Sequence, residues 1–375
     1  MLDKIRQNAK HLVGWKTRRK IVVFSVDDYG VVRMASPKAL DALKAIDAPM
    51  VRYDHTESME TRQDLEALFE VLESVRDKSE NPAVFTPFSV PCNMDFERMF
   101  REDFKSYRYE LLPATFDKLA AMDPAAYEGA WDLWKEGMDR KLMVPQFHGR
   151  EHFNLKVLEE KLAERDEILL TAIRHSSNIG LKNPGNPALS YLAAFAFWEM
   201  QENERFEALI EDGLNAFEQV FGFRSVHFTA PAGGEHSSIY SHLSRGGVKF
   251  VDMPLVKREH QGRGSYKTKL YYTGKKHPSG VVAGVRNVVF EPTSAIQSDW
   301  VSHTLNQIDK AFSWNHPAII SSHRANFSGY MDPDNRETGL SALKDLLKKI
   351  TRRWPDVEFL SSAQLYELIV PKDEN

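Results

Sequence analysis

The chain has 375 residues, 42% hydrophobic and 27% charged, which excludes disorder as its general state and gives length enough for one large domain or two modest ones. Its 49 Lys and Arg against 53 Asp and Glu leave a formal charge of -4, with no electrostatic footprint for a duplex nucleic-acid partner. The single cysteine, Cys92, cannot form an internal disulfide and points to a reducing, cytoplasmic compartment.

Residues 1–20 form a basic N-terminal segment in which Leu2, Ile5, Ala9, Leu12 and Val13 recur at helical spacing. A helix docked on its own domain is expected there, with weak contact to an anionic membrane surface as the alternative. No apolar run of signal-peptide type follows, and no run reaches the roughly 20 residues that a membrane span needs. Short apolar runs then recur at Ile21–Val26, Ala83–Phe88, Leu142–Phe147, Ser225–Thr229, Val248–Asp252, Val281–Phe290 and Ala318–Ser322, which predicts seven strands. Between most of them lie helical patterns: Ser36–Ile46, Thr61–Arg76, Asn154–Arg165, Glu202–Phe221, Ser237–Arg245, Ser298–Phe312 and Thr338–Arg353. This alternation reads as α/β with parallel strands, either a doubly wound sheet or a closed or incomplete (β/α) barrel. Neither G-x-G-x-x-G after the first strand nor G-x-x-x-x-G-K-[ST] occurs, which favours the barrel. Residues 21–375 read as a single domain, with a helical, aromatic-rich insertion at about 92–141.

Catalytic groups in such folds collect at the carboxyl ends of strands. The first strand runs into Asp27 and Asp28, whose mutual repulsion asks for a cation or a proton unless they are a simple turn pair. The third ends at His148-Gly149-Arg150-Glu151-His152, where histidines at i and i+4 share one face of a helical turn and suit a metal. The last delivers His323, a candidate proton donor, followed by Arg324; one helix earlier stand Asp299, able to orient an imidazole, and Trp300, able to wall a cleft. Small residues in the stretch Ser225–Gly234 would let backbone N–H groups approach a ligand.

A strand-end Asp pair, a later His-x-x-x-His, a Pro/Gly-rich strand end and a final strand-end His, in that order from Asp27 to His323, resemble the polysaccharide deacetylases, the NodB-homology carbohydrate esterases. The opening Ser-Val-Asp-Asp-Tyr-Gly is also similar to the related YdjC-type sugar deacetylases. The resemblance implies an irregular (β/α)7 barrel and metal-dependent removal of acetyl groups from an N- or O-acetylated sugar or glycan precursor. It implies Asp27 as general base, Asp28, His148 and His152 as ligands of a divalent metal, Zn²⁺ by default, and His323 as general acid. Asp299 would orient that acid, Trp300 would line the groove, and the N–H of Ala232 would meet the oxyanion.

The chain departs from the family pattern at Thr229, where an Arg that tunes the base is expected, and at Ser321, where an apolar residue is expected. Arg324 or Arg150 are the candidates to replace the Arg. Two other readings remain open. His148–His152 fits the H-x-x-E-H pattern of inverzincin metalloproteases, with Glu151 as base and Glu218 or Glu235 as a further ligand. A catalytically inactive, glycan-binding barrel is the other.

Overall fold

In the computed structural model, which describes residues 12–181, 186 and 189–370, the first apolar run is β1 (Lys20–Tyr29), buried along nearly its whole length. The helix and membrane contact expected for residues 1–20 fall largely outside the described residues. From Trp15 onward the chain docks on its own domain, Trp15 N–H donating to the Thr273 carbonyl and Arg19 pairing with Glu358 at 2.6 Å. Among the described residues no helix is long and apolar enough to cross a membrane.

The other strands follow in chain order: β2 (Phe85–Ser89), β3 (Cys92–Met94), β4 (Tyr109–Leu111), β5 (Gln146–Phe147), β6 (His227–Phe228), β7 (Phe250–Asp252), β8 (Val256–His260), β9 (Tyr266–Leu270), β10 (Val282–Gly284), β11 (Val288–Val289), β12 (Ala318–His323) and β13 (Val357–Phe359). The main sheet is parallel, ordered β10-β7-β6-β5-β2-β1-β12-β11, with β13 wedged beside the start of β1. This is chain order wrapped into a circle, as an α/β barrel requires. The circle closes through one interrupted stretch. Residues 282–284 pair with β7 on one side, residues 288–289 pair with β12 on the other, and the three residues between them cross the seam.

Helices cover the sheet, several of them started by a side-chain cap where the sequence changes period. Ser36 accepts from Ala39 N–H, Thr61 and Asp64 form a capping box, and Asn154 accepts from Val157 N–H. Their apolar faces supply Leu65, Leu68 and Leu72, or Leu343, Leu346 and Leu347, to one continuous core. Residues 92–141 hold the helices Phe96–Arg101, Leu112–Met122, Pro124–Tyr127 and Ala130–Asp139, as their composition suggested, but also the antiparallel pair β3–β4, which the sequence did not reveal. A second antiparallel pair, β8–β9, stands outside the barrel.

The helix Pro333–Arg353 crosses the Arg324–Phe327 turn so closely that a Cβ at Gly339 would overlap the Asn326 carbonyl. Gly339→Ala is therefore expected to destabilise the fold by about 1–3 kcal/mol or more through overpacking, read as a lowered urea midpoint. An unchanged midpoint would mean that helix and turn can separate at no cost.

Candidate active site

Strand β1 ends in a bulge. Val26 pairs with Pro87 and Tyr29 with Ser89, so Asp27 and Asp28 oppose one residue of β2, and Asp28 takes a left-handed φ of 72°. A bulge re-aims side chains, and here the two carboxylates reach different partners.

Asp28 Oδ1 lies 2.9 Å from His152 Nε2 and 3.3 Å from His148 Nε2, across 120 residues of sequence in the second case. All three side chains are buried, and their ligand atoms lie within 4.8 Å of one another, the one such group of three among the described residues. His148 Nδ1 is 2.8 Å from the Thr229 carbonyl, which can only accept. Nδ1 is therefore a donor, and Nε2 is the atom turned toward Asp28. Nδ1 of His152 is buried and has no partner among the described residues. Burial pushes the Asp28 carboxyl up, but the His152 charge and hydrogen bonds from both histidines outweigh it and hold it well below the usual range. One carboxylate and two imidazole nitrogens converging in a buried space fit a divalent metal such as Zn²⁺.

The histidines come together by a route other than the expected helical turn. Residues 148–154 form a bent loop between β5 and the helix Leu155–Ala163, with Gly149 at φ 91°. Glu151 turns away, held by Arg150 at 2.6 Å, and Arg150 also pairs with Asp212. Glu218 pairs with Arg224, and Glu235 with Lys257. The inverzincin arrangement thus has neither its base nor its further ligand at the histidines.

Asp27 is gripped by Arg286. The guanidinium donates from Nη1 to Oδ2 at 2.6 Å and from Nη2 to Oδ1 at 2.7 Å. It also donates from Nε to Asp252 at 2.7 Å, from Nη1 to Ser321 Oγ at 3.2 Å and from Nη2 to Thr229 Oγ1 at 3.0 Å, with Phe88 beneath at 4.9 Å. Neither Arg150 nor Arg324 serves Asp27. Arg324 is buried against Glu57 and Glu60, at 2.9 and 2.8 Å, where it fixes the chain that follows β1. The two departures from the family pattern, Thr229 and Ser321, are both hydroxyl partners of the arginine that does the work.

His323 lies beside Asp27 in the β1–β12 register, about a third exposed, with Tyr53 tilted against it at 5.8 Å. Its Nδ1 is 2.6 Å from Glu291 Oε1, and Asn326 donates to the other Glu291 oxygen at 2.7 Å. Burial disfavours the imidazolium, but the Glu291 bond and the charges of Asp28, Glu291 and Asp27 overcome this and raise the group to about 10. Asp299 is elsewhere. It is an exposed N-cap that accepts from Ser302 N–H at 2.9 Å, at the start of the helix Trp300–Ser313. Trp300 packs into the core, its indole N–H on the Ser294 carbonyl at 2.8 Å. Ala232 sits on an exposed loop at φ 50°, and among the described residues nothing accepts from its N–H.

Arg286, Asp252, Glu291 and Tyr53 escaped the sequence reading. Two signals were present: Arg286 is a lone cation inside the apolar run Val281–Phe290, and Glu291 directly follows that run at a strand end.

No protein-family profile and no curated protein matches the chain. Solved structures do. A protein described as a polysaccharide deacetylase from Mycobacterium smegmatis is 10% identical, with TM-score 0.45 over 95% of this chain and 92% of that one. A probable polysaccharide deacetylase from Pseudomonas aeruginosa is 9% identical, with TM-score 0.45 over 93% and 90%. A GH57 branching enzyme from Thermococcus kodakaraensis is 12% identical, with TM-score 0.46 over 94% and 71%. The functional reading below rests on the side chains.

If Glu291 holds the imidazolium, Glu291→Gln removes a negative charge from the protonated form, and the His323 midpoint falls from about 10 toward its ordinary value. Asp299→Asn is expected to leave it unmoved. Titration of the His323 ring by NMR checks both, and the reverse pattern would restore Asp299 to the role that the sequence suggested.

Proposed function

We propose that this protein is a metal-dependent hydrolase that removes acetyl groups from an N-acetylated sugar, in the manner of the polysaccharide deacetylases. A single observation carries the reading. A buried Asp-His-His cluster, an arginine-held aspartate and a carboxylate-held histidine meet at one mouth of the barrel, and binding alone does not need all three.

Asp28, His148 and His152 would hold the metal, with Zn²⁺ first among the candidates by donor set. When bound, the ion supplies Lewis acidity toward the amide carbonyl and toward water. Asp27, its orientation fixed by Arg286 on both oxygens, keeps lone pairs free to take the proton of the attacking water as the new C–O bond forms. The N–H of Ala232 is offered to the oxyanion that develops on the carbonyl. His323 stands protonated at neutral pH, and Glu291 on Nδ1 leaves Nε2 to deliver its proton to the nitrogen as the C–N bond breaks. Acetic acid, which gives up its proton to solvent as acetate, and the free amine leave, and the proton on Asp27 returns to His323 through solvent. O-deacetylation would use the same groups, with an alcohol leaving.

The two aspartates are expected to separate by experiment. Asp28→Asn should lose metal and activity together and regain part of the activity with added metal, whereas Asp27→Asn should keep its metal while kcat collapses. Metal content and acetate release across a metal titration decide it, and rescue of Asp27→Asn instead would reverse the assignment. Removal of the metal with a chelator should abolish turnover, and its return should restore it.

The acid is tested by His323→Ala, for which a loss of about 10² to 10⁴ in kcat with metal retained is expected. Activity within a few-fold of the parent would reduce His323 to a structural residue.

A further inference from the structure

Beyond Arg286, the site opens into two adjoining cavities. One, of about 240 Å³, is lined by Thr229, Gly233, Glu235, Asp252, Pro254 and Arg286, so it begins at the arginine that holds Asp27. The other, of about 210 Å³, shares Gly233, Glu235 and Pro254 with it and ends against Lys257, Arg258 and Tyr266 on the β8–β9 hairpin. Together they are a groove leading from the reacting centre to that hairpin.

The hairpin is basic. Between Val256 and Leu270 stand Lys257, Arg258, Arg263, Lys267 and Lys269, against Glu259 alone, in a protein of net negative charge. Three of these cations are matched: Lys257 by Glu235, Arg263 by Glu199 and Lys269 by Glu259. Arg258 is exposed, lines the groove and has no carboxylate partner among the described residues; its guanidinium is held over the Tyr266 ring at 4.9 Å. The groove's own carboxylates are engaged, Glu235 with Lys257 and Asp252 with Arg286, which it shares with Asp27. On the opposite wall Gly233 and Gly234 have φ of 69° and 85°, and nothing among the described residues accepts from the N–H of Gly234 or Glu235. A cation without a counter-ion and spare N–H donors on one groove suit an oxyanion with several oxygens.

We propose that this groove is a second subsite, which takes the part of the substrate beyond the acetylated sugar, and that this part carries a phosphate ester bound by Arg258. The proposal rests on the deacetylase reading for the chemistry at the first subsite, and it names the substrate class: an N-acetylated sugar that is phosphorylated or linked through a diphosphate. A bare phosphosugar, a nucleoside diphosphate sugar and a lipid diphosphate sugar share that chemistry. Tyr266 positions the guanidinium, and the plane of the Arg258 fork matches phosphate geometry better than a lysine would.

The test compares acetate release from methyl N-acetylglucosaminide, N-acetylglucosamine 1-phosphate, a uridine-diphosphate-linked N-acetylglucosamine and a short-prenyl diphosphate-linked N-acetylglucosamine, using the metal-loaded full chain. The parent protein is expected to favour at least one phosphorylated substrate over the neutral one by about tenfold or more in kcat/KM, and Arg258→Gln to bring that ratio down at least about fivefold. Lys344→Gln, on a remote surface, should leave the ratio as it is. Which phosphorylated substrate leads identifies the source of the phosphate. A parent ratio near one, or an Arg258→Gln loss that falls equally on neutral and phosphorylated sugars, overturns the proposal. Binding of N-acetylglucosamine 1-phosphate, followed by calorimetry, separates the two claims. Binding weakened several-fold by Arg258→Gln without acetate release from any sugar supports the subsite while the reaction fails. Acetate release without phosphate preference supports the reaction while the subsite fails.

Discussion

The architecture of the site depends on how one guanidinium is satisfied. Arginine has five N–H donors in a rigid fork, and Arg286 spends all five, on Asp27 twice and on Asp252, Ser321 and Thr229 once each. Those partners belong to the ends of β1, β7, β12 and the segment after β6, so one side chain ties together strands from both sides of the barrel. It rises from the three residues that cross the seam, where the backbone ladder itself is interrupted. An Arg left half-paired there, or two carboxylates left without it, would cost several kcal/mol. Satisfying it fixes the seam, the Asp27 carboxylate and the Asp252 carboxylate together.

The bulge in β1 is the second half of the same arrangement. In a regular strand adjacent residues point to opposite faces, and Asp27 and Asp28 could not both face the mouth. The left-handed turn at Asp28 sends its carboxylate toward the loop after β5 while Asp27 stays with Arg286. Division of labour between two neighbouring carboxylates is therefore written in the backbone. On the far side of Asp27, His323 is the partner across β12, and Glu291 reaches it from the end of the closing stretch.

Elements governed by local pattern were legible in the sequence. Every strand of the main sheet except β13 lies at or near a named apolar run, and several helix starts carry capping residues, because burial and capping act over a few residues. Positions at strand ends were legible for the same reason, which is how Asp27, Asp28, His148, His152 and His323 were found. Relations across the barrel were not. Nothing local shows that the run Val281–Phe290 is split between two neighbours, or that its Arg286 crosses to Asp27, 259 residues away in sequence. Asp299 looked suited to the acid by sequence distance, but its carboxylate is committed to its own helix end, a bond that an N-cap makes whatever stands nearby. Thr229 and Ser321 read as losses because a single-position comparison cannot see an arginine supplied from another strand.

Charge at the mouth is shared out unevenly among Asp27, Asp28, Asp252 and Glu291. Arg286 serves Asp27 and Asp252 together, and His323 is set on Glu291. Among the described residues no Arg or Lys pairs with Asp28, whose partners are the two imidazoles of His148 and His152. A buried carboxylate whose neighbours are two imidazole nitrogens and no fixed cation is the part of the mouth that suits a divalent ion, because the ion would supply there the positive charge that Arg286 supplies to Asp27.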